Sequence, residues 1–326
     1  MHLKRSDTTS AGIRREHTPD GFTYIDPAGN DVTDSDRIQR LVIPPAWTNV
    51  WVCPDPSGHI QATGRDAAGR LQYLYHPLWH QQQKDKKFDR ALDLAHVLPH
   101  ARAQVTRDLT DPDPTRARGL ALAFRLIDSL AIRIGSETYL DAHGSRGLCT
   151  LLCRHAVVNG KTLTLRFPSK SGTSWEVTTH DSLAANVIED MLRRRAPRTR
   201  LLGWHTSTEP DIPTRNRWHV LSPEDVNADI RERTGGDFTA KDFRTLHGSA
   251  LALALLTKAG QRSDEAQRNH VVTQVVHQVA QELGNTPAVA RESYIDPRIL
   301  KRYLDGQQFA QGTRTPESKL VDLLRG

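Results

Sequence analysis

The side chains of this chain that could do chemistry are a scattered set of cationic residues, one amide and one tyrosine. They are Arg133, Lys170, Lys241, Arg244, Asn285 and Tyr294. A guanidinium group donates two parallel hydrogen bonds to phosphate oxygens, and a tyrosine hydroxyl can serve as a nucleophile. Each residue also has an ordinary explanation: an ion pair with Glu137 for Arg133, a solvated loop tip for Lys170, a core position for Tyr294. Taken singly, the ordinary explanations are favoured, so a shared function depends on the order and flanking motifs of these residues.

Other chemistries lack their sequence signatures. The chain contains no G-x-x-x-x-G-K-[ST] loop for a nucleotide phosphate, so we expect no use of ATP. The Asp-Pro-Asp-Pro segment at 111–114 predicts a turn, and His76 and His80 have no evident third ligand, so no metal site is expected. Cys149 and Cys153, four apart on a predicted helix, are interpreted as small core residues.

The first half of the set is predicted to be positioned by one helix and one hairpin. Apolar residues recur with helical spacing from Leu122 to Ile134, which puts Arg133 at the end of a helix. Two β-rich runs flank a Pro-Ser-Lys-Ser-Gly turn within residues 163–177, and this pattern predicts a hairpin with Lys170 at its tip.

The second half of the set depends on helix starts and stops. A capped start predicts one helix that carries Lys241 and Arg244 a turn apart. A glycine stop followed by a Thr-Pro start places Asn285 in a helix–helix junction and Tyr294 near the end of the next helix.

The chain is predicted to be an α+β protein of two domains. Its 326 residues exceed what one core comfortably holds. Residues 1–90 contain β-rich runs near 22–32, 50–63 and 71–75 and are predicted to form a small β-rich domain. Residues 91–326 are predicted to form a larger, mainly helical domain, whose last ~20 residues could be a frayed helix.

Composition indicates a polyanionic partner and excludes a membrane protein. The net charge is +6 and the isoelectric point is near 9.3. A basic surface suits a nucleic acid because phosphate neutralisation releases counterions, although a solvated arginine-rich surface is the ordinary alternative. No apolar run is long enough to cross a bilayer, we expect no secretory leader, and three cysteines suggest a reducing compartment. The expected location is therefore the cytoplasm, in association with the nucleoid.

Taken in order, the motifs of this chain resemble those of the poxvirus-type and bacterial type IB DNA topoisomerases, a family related in fold to the tyrosine recombinases. The N-terminal motifs are IPPAW (43–47), VWVCP (50–54), QATGRD (61–66) and GRLQYLYH (69–76). The catalytic motifs are IRIG (132–135) through Tyr139, GLCTL (147–151), FPSKSG (167–172), TAKDFRT (239–245) and LGNTPAVAR (283–291) before Ser293-Tyr294-Ile295. The resemblance extends from about Gly21 to Leu304.

The resemblance implies an enzyme that relaxes positive and negative supercoils by nicking and resealing one strand, with neither ATP nor a metal. Tyr294 would be the nucleophile and would form a 3′-phosphotyrosyl intermediate. Arg133, Arg244 and Asn285 would stabilise the charge on the non-bridging oxygens. Lys170 would protonate the departing 5′-oxygen.

The resemblance also implies a DNA-clamping role for the N-terminal domain. Tyr73 and Tyr75 alternate on a predicted strand, so they share a face that could contact the major groove or could pack in the core. The predicted DNA contacts are Lys241, Tyr139, Gln72, Tyr73, Tyr75 and Arg70. The expected partner is double-stranded DNA, bound by a monomer that needs no obligate protein partner.

The chain departs from the family pattern at two positions. Asn285 stands where many members have histidine; an amide donates a hydrogen bond but carries no charge, so stabilisation there is weaker. Leu71 stands where a basic residue is common, which puts that DNA contact in doubt.

Two rival functions stay open. A tyrosine recombinase uses much the same catalytic set, but recombinases usually have a histidine three residues before the second arginine, where this chain has Lys241. A non-catalytic DNA-binding protein would also account for the basic charge. Formation of a covalent adduct distinguishes the binding protein from the two enzymes, and relaxation without synapsis distinguishes the enzymes from each other.

Overall fold

The computed structural model describes residues 2–32, 35–169, 174–205 and 218–326. The chain divides into two compact units, Met1–Lys86 and Lys87–Gly326. Each unit has its own cluster of buried apolar side chains. In the part of the chain that the structure describes, no helix combines the length and the apolar character needed to cross a lipid bilayer.

The first unit is built on a five-stranded antiparallel sheet with the strand order β2-β1-β3-β4-β5. Its elements are β1 (Ile13–Thr18), β2 (Gly21–Ile25), α1 (Ser35–Arg40), β3 (Thr48–Val52), β4 (Ile60–Arg65) and β5 (Leu71–Tyr75). One face buries Ile13, Val50, Val52 and Ala62 against Ile38 of α1. The second of the two strands predicted within residues 22–32 is reduced to a single bridge between Ile25 and Asp31. Strand β1 was not predicted, because most of its side chains are polar and are not fully buried.

The second unit is mainly helical, which confirms the predicted α+β class. Its helices are α2 (Pro77–Leu109, which begins in the first unit), α3 (Arg116–Leu130), α4 (Glu137–His143), α5 (Ser182–Arg194), α6 (Pro223–Thr234), α7 (Ala240–Ala259), α8 (Glu265–Glu282), α9 (Pro287–Ser293), α10 (Pro297–Leu304) and α11 (Pro316–Arg325). Its strands are β6 (Ala156–Asn159), β7 (Thr162–Pro168) and β8 (Ser174–Thr179) in one antiparallel sheet, and β9 (Gly203–His205) and β10 (Trp218–Val220) in another. Phe124 of α3 and Phe243 of α7 meet edge to face in its core.

The segment that carries Arg133 is not helical, which corrects the prediction that Arg133 ends a helix. Helix α3 stops at Leu130, and Ala131 adopts a left-handed conformation with φ of 47°. Ile132 beyond this turn is fully buried. Apolar spacing therefore persists past the helix end, because periodicity alone does not separate a helix from a buried extended segment.

Two further predictions about helices are wrong. Cys149 and Cys153 lie in separate 3₁₀ turns at Leu148–Thr150 and Cys153–His155, although both are buried as expected of core residues. The C-terminal residues are not frayed: α11 packs on α7 and buries Leu320 completely. An amphipathic helix of this length gains its stability from the surface that it covers, which the local sequence does not show.

Candidate active site

Three of the predicted catalytic residues, Arg133, Arg244 and Asn285, meet at the junction between α8 and α9, residues 283–285. Arg244 Nη2 donates a hydrogen bond to the Leu283 carbonyl at 2.7 Å. Arg133 Nη2 donates to the Gly284 carbonyl at 2.8 Å and to the side-chain oxygen of Asn285. Both guanidinium groups are therefore anchored to three successive residues, immediately before the helix that leads to Tyr294.

Arg133 is positioned by the close approach of its extended segment to the 3₁₀ turn at Leu148–Thr150. The backbone amides of Leu148 and Cys149 donate to the carbonyls of Arg133 and Ile134, both at 2.8 Å. A Cβ on Gly147 would lie 2.5 Å from the Arg133 carbonyl oxygen, so only glycine fits there. The segment at 147–151 thus serves to fix the backbone beneath Arg133.

Arg244 lies on the second turn of α7 and is almost fully buried. Its Nη1 donates to the carbonyl of Ala131, the left-handed residue after α3. Burial, and then repulsion from Arg133, lowers the pKa of Arg244 to about 10. The guanidinium group is still charged at neutral pH, and a buried and a half-buried arginine side by side, both with lowered pKa values, indicate a site for a negative ligand.

Two buried donors at the junction have no hydrogen-bond partner within the described residues. They are Nε of Arg244 and Nδ2 of Asn285. The contact with Arg133 fixes which end of the Asn285 amide is the oxygen, so its nitrogen is left as the donor. Because buried donors are almost always paired, such groups indicate a ligand that accepts hydrogen bonds.

Tyr294 caps the C-terminal end of α9 and is held by α7. Its carbonyl accepts a hydrogen bond from Ser249 Oγ at 3.1 Å, and a Cβ on Gly248 would lie 2.6 Å from that same oxygen. The Cζ atom of Arg244 lies 4.9 Å from the centroid of the Tyr294 ring. Sequence reasoning missed Gly248 and Ser249, although a glycine inside a helical pattern was a signal of close backbone approach.

The tip of the predicted lysine hairpin, with Lys170, lies outside the described residues. Its stem is present as the antiparallel pair β7–β8, in which Pro168 faces Ser174. The Arg146 amide donates to the Pro168 carbonyl at 2.9 Å, and the Trp175 ring lies close to Gly284. The loop end of this stem therefore lies beside the α8–α9 junction.

Two family models match the chain. The eukaryotic DNA topoisomerase I catalytic core matches residues 77–314, and the bacterial DNA topoisomerase IB N-terminal domain matches residues 21–66. The chain belongs to the type IB DNA topoisomerase family. It is similar to the DNA topoisomerase 1B of Acanthamoeba polyphaga mimivirus, with 30% identity over 304 residues that cover 91% of this chain and 89% of the relative.

More distant relatives are similar over different shares of the chain. DNA topoisomerase 1B of Vaccinia virus, strain Copenhagen, is 22% identical over 288 residues, 86% of each protein. DNA topoisomerase 1 beta of Arabidopsis thaliana is 26% identical over 201 residues, which are 61% of this chain and 20% of the plant protein.

Two of the ordinary explanations for the catalytic set, those for Arg133 and Tyr294, do not describe this topoisomerase. Glu137 pairs with Arg200 at 2.5 Å and not with Arg133. Tyr294 is half-buried and does not lie in the packed core. Arg133 instead donates a hydrogen bond to the Gly284 carbonyl, and the Tyr294 ring lies against the guanidinium group of Arg244.

Two of the predicted DNA contacts of the topoisomerase lie on exposed helix surfaces near the junction. Lys241 is exposed on the first turn of α7. Tyr139 is 47% exposed on α4, and its ring lies 5.0 Å from that of His143. Burial lowers the pKa of Arg133, and the nearby hydroxyls of Tyr294 and Tyr139 oppose this change. Tyr139 is therefore an electrostatic neighbour of Arg133.

The other predicted DNA contacts lie on β5 or, for Arg70, on the residue before it, between the two matched ranges. The rings of Tyr73 and Tyr75 stack 5.9 Å apart on one face of the strand, and Tyr73 is 41% exposed. Arg70 and Gln72 each bind the carboxylate of Asp66 at 2.9 Å. The tyrosines share a face as predicted and are not packed in a core. Leu71, at the position where a basic residue is common, is also exposed.

Several arginines that contribute to the basic composition have partners within the protein. Arg193 and Arg194 pair with acidic residues one turn earlier on α5. Arg195 donates to the Leu201 carbonyl at 3.0 Å. Arg215 and Arg217 lie outside the described residues. Composition therefore overstated the role of these residues, whereas the buried pair at the junction is the more specific electrostatic feature.

Proposed function

We propose that this type IB topoisomerase relaxes positively and negatively supercoiled DNA through transient cleavage of one strand by Tyr294, without ATP or a metal ion. The observation that carries the proposal is the pair of buried, unpartnered donors on Arg244 and Asn285 beside the half-buried Tyr294. A phosphodiester offers two non-bridging oxygens as acceptors, and it is the bond that Tyr294 would attack.

In the proposed cleavage step, the Tyr294 oxygen forms a bond to phosphorus in line with the departing 5′-oxygen. The P–O5′ bond breaks, and the products are a 3′-phosphotyrosyl ester and a 5′-hydroxyl strand. The tyrosine proton is released to solvent. Because the phosphotyrosine conserves the energy of the broken bond, the reverse reaction reseals the strand without an external energy source. Rotation of the cut strand between the two steps relaxes supercoils of either sign.

Arg133, Arg244 and Asn285 are proposed to stabilise the transition state. Negative charge on the non-bridging oxygens grows as the new bond forms, and donors fixed in advance need no reorganisation at that moment. The anchoring of both arginines to backbone carbonyls supports this role. Asn285 supplies a neutral donor, so its contribution is smaller than that of a protonated histidine.

Lys170 is proposed as the general acid that protonates the 5′-oxygen, and Lys241 as an aid to phosphate binding or to proton relay. The position of the hairpin stem supports the role of Lys170, since Trp175 lies beside the junction. In this proposal, the ammonium group of Lys170 gives its proton to the departing 5′-oxygen within hydrogen-bond reach of the scissile phosphate.

The N-terminal region, residues 1–90, is proposed to clamp the duplex while residues 91–326 do the chemistry. The match of residues 21–66 to the bacterial type IB N-terminal domain supports a separate N-terminal domain. The exposed face of Tyr73 and Tyr75 supports DNA contact there. The proposed active form is a monomer on double-stranded DNA, in the cytoplasm and associated with the nucleoid.

The deciding experiment compares the purified protein with Tyr294→Phe on positively and on negatively supercoiled plasmid, in EDTA and without nucleotide. We expect the wild type alone to relax both substrates. If DNA binds and neither substrate is relaxed, the topoisomerase proposal is wrong. A covalent-adduct assay would then choose between a recombinase and a non-catalytic DNA-binding protein.

A further inference from the structure

Four ionisable side chains from four helices meet about one helical turn along α7 from Arg244. Arg102 of α2 holds the Asp128 carboxylate of α3 through two hydrogen bonds of 2.8 and 2.9 Å. His247 Nε2 of α7 lies 3.4 Å from Asp128 Oδ1. Glu317 of α11 lies 3.1 Å from Arg102 Nη2 and 3.9 Å from His247 Nδ1. We call these four residues the ionic cluster.

The ionic cluster is tied to Arg244 along two elements. His247 follows Arg244 by three residues on α7, and residues at this spacing share a helix face. Asp128 precedes Ala131 by three residues, and the Ala131 carbonyl accepts the hydrogen bond from Arg244 Nη1. The contact between His247 and Asp128 thus joins α7 to α3 one turn away from the contact between Arg244 and Ala131.

The contact between Asp128 and His247 is largely shielded from water. The side chain of Asp128 is 8% exposed and that of His247 is 21% exposed. Burial alone would raise the pKa of Asp128, but His247 and Arg102 outweigh burial and lower that pKa to about 2. Asp128 is therefore an anion under all ordinary conditions, and removal of its charge would leave Arg102 and His247 with Glu317 as their one charged carboxylate partner in the ionic cluster.

We propose that Asp128 and His247 are positioning residues that set the direction of the Arg244 guanidinium, and that Glu317 brings the C-terminal helix α11 into the same network. This inference rests on the proposed role of Arg244 at the scissile phosphate. Small displacements of a catalytic group, on the order of 1 Å, can slow a reaction about 100-fold. Helix α11, for which the sequence suggested no role, would thereby support the reaction from outside the catalytic motifs.

The test uses two substrates that differ in one atom. One is a normal DNA with a single cleavage site. The other carries a methylphosphonate there, in the stereoisomer whose methyl group replaces the oxygen that Arg244 contacts. A variant that misplaces Arg244 loses rate on the normal substrate and little on the methylphosphonate, because the lost contact is absent from that substrate already. A variant that merely destabilises the fold loses the same factor on both.

We expect Asp128→Asn to slow single-turnover cleavage of normal DNA by about 10- to 100-fold and to change DNA affinity little. We expect His247→Gln to act in the same direction by a smaller factor, since glutamine keeps a polar group beside Asp128. The His247→Gln variant also allows the test to be made if Asp128→Asn does not fold. For both variants, the loss of cleavage rate should be smaller on the methylphosphonate than on normal DNA, and the same is expected of Arg244→Ala. Asp229→Asn is the matched control, because Asp229 is equally buried and binds Arg233 on α6; it should leave cleavage of both substrates unchanged.

The outcomes distinguish the inference from the proposed function. If Arg244→Ala is less costly on the methylphosphonate but the cluster variants cost the same on both substrates, the positioning role is wrong and the role of Arg244 stands. If Arg244→Ala costs the same on both, the role of Arg244 is wrong and the positioning role is overturned with it. Non-additive penalties in Arg244→Ala/His247→Gln would support the inference, and additive penalties would contradict it.

Discussion

The α8–α9 junction and the exposed face of β5 are both predicted to meet DNA, but they are built in opposite ways. At the junction, charged groups are buried, are anchored to backbone carbonyls and retain donors without partners among the described residues. On β5, Tyr73 is exposed, and the polar side chains Arg70 and Gln72 are already bound to Asp66. The junction is preorganised for one charge distribution, so changes there should alter the cleavage rate. Changes on the exposed face of β5 should alter the affinity for DNA instead.

The largest effect is expected at the nucleophile. Tyr294→Phe keeps the ring against Arg244 but removes the attacking oxygen, so covalent adduct should fall below detection while DNA affinity stays near that of the wild type. Denaturing gels of labelled DNA after mixing with protein would show the adduct. Any adduct from this variant would mean that another residue attacks, and the junction would lose its assigned role.

The next effect is expected at the hairpin. Lys170→Ala should slow cleavage by about 100- to 10,000-fold, the range of a general acid. A substrate with a 5′-bridging sulfur should restore the rate, because a thiolate leaves without a proton. Rapid-quench cleavage on the two substrates would measure this. Persistence of the slow rate on the sulfur substrate would remove Lys170 as the acid.

Replacement of Arg244 by lysine should show that geometry matters as well as charge. An ammonium group lacks the planar fork that reaches both the Ala131 and the Leu283 carbonyls, so Arg244→Lys should slow cleavage by about 100- to 1000-fold. Arg233→Lys changes a similarly buried arginine outside the junction and should leave single-turnover cleavage intact. Equal rates for Arg244→Lys and the wild type would contradict a preorganised clamp.

A smaller effect is expected at the neutral donor. Asn285→Ala removes one uncharged hydrogen bond and should slow cleavage by about tenfold. Asn285→Asp should be slower still, because it places an anion where negative charge grows. The cleavage rates of the two variants at saturating protein would rank them. A reversed order would mean that Asn285 serves only to hold Arg133.

The smallest effect on rate is expected on β5. Tyr73→Ala with Tyr75→Ala removes the stacked pair and should weaken DNA binding by about tenfold, corresponding to 1 to 2 kcal/mol for lost aromatic contacts, while the cleavage rate of bound DNA stays unchanged. Leu71→Lys should strengthen binding at low salt, since it adds a cation at an exposed position. If the double variant keeps wild-type affinity and site choice, the face does not contact DNA.

Local signals in the sequence predicted much of this protein. Helix starts such as Thr286-Pro287 and the two strands on either side of residue 170 depend on neighbouring residues only, and the structure contains them, whereas the turn itself lies outside the described residues. The α+β class follows from the same signals. The end of α3 was predicted wrongly because Ile132 is apolar for a tertiary reason: it lines the core in an extended segment.

By itself, the sequence determined the chemical inventory of this topoisomerase and the order in which it appears along the chain. Only the tertiary structure decided which of those residues meet. It anchors Arg133 and Arg244 on three residues of a distant junction, sets Gly248 against the Tyr294 carbonyl and brings Glu317 of α11 to Arg102 of α2. These contacts join residues far apart in the chain, and their strength comes from burial and from exact partners in space. No local pattern of residue types carries that information.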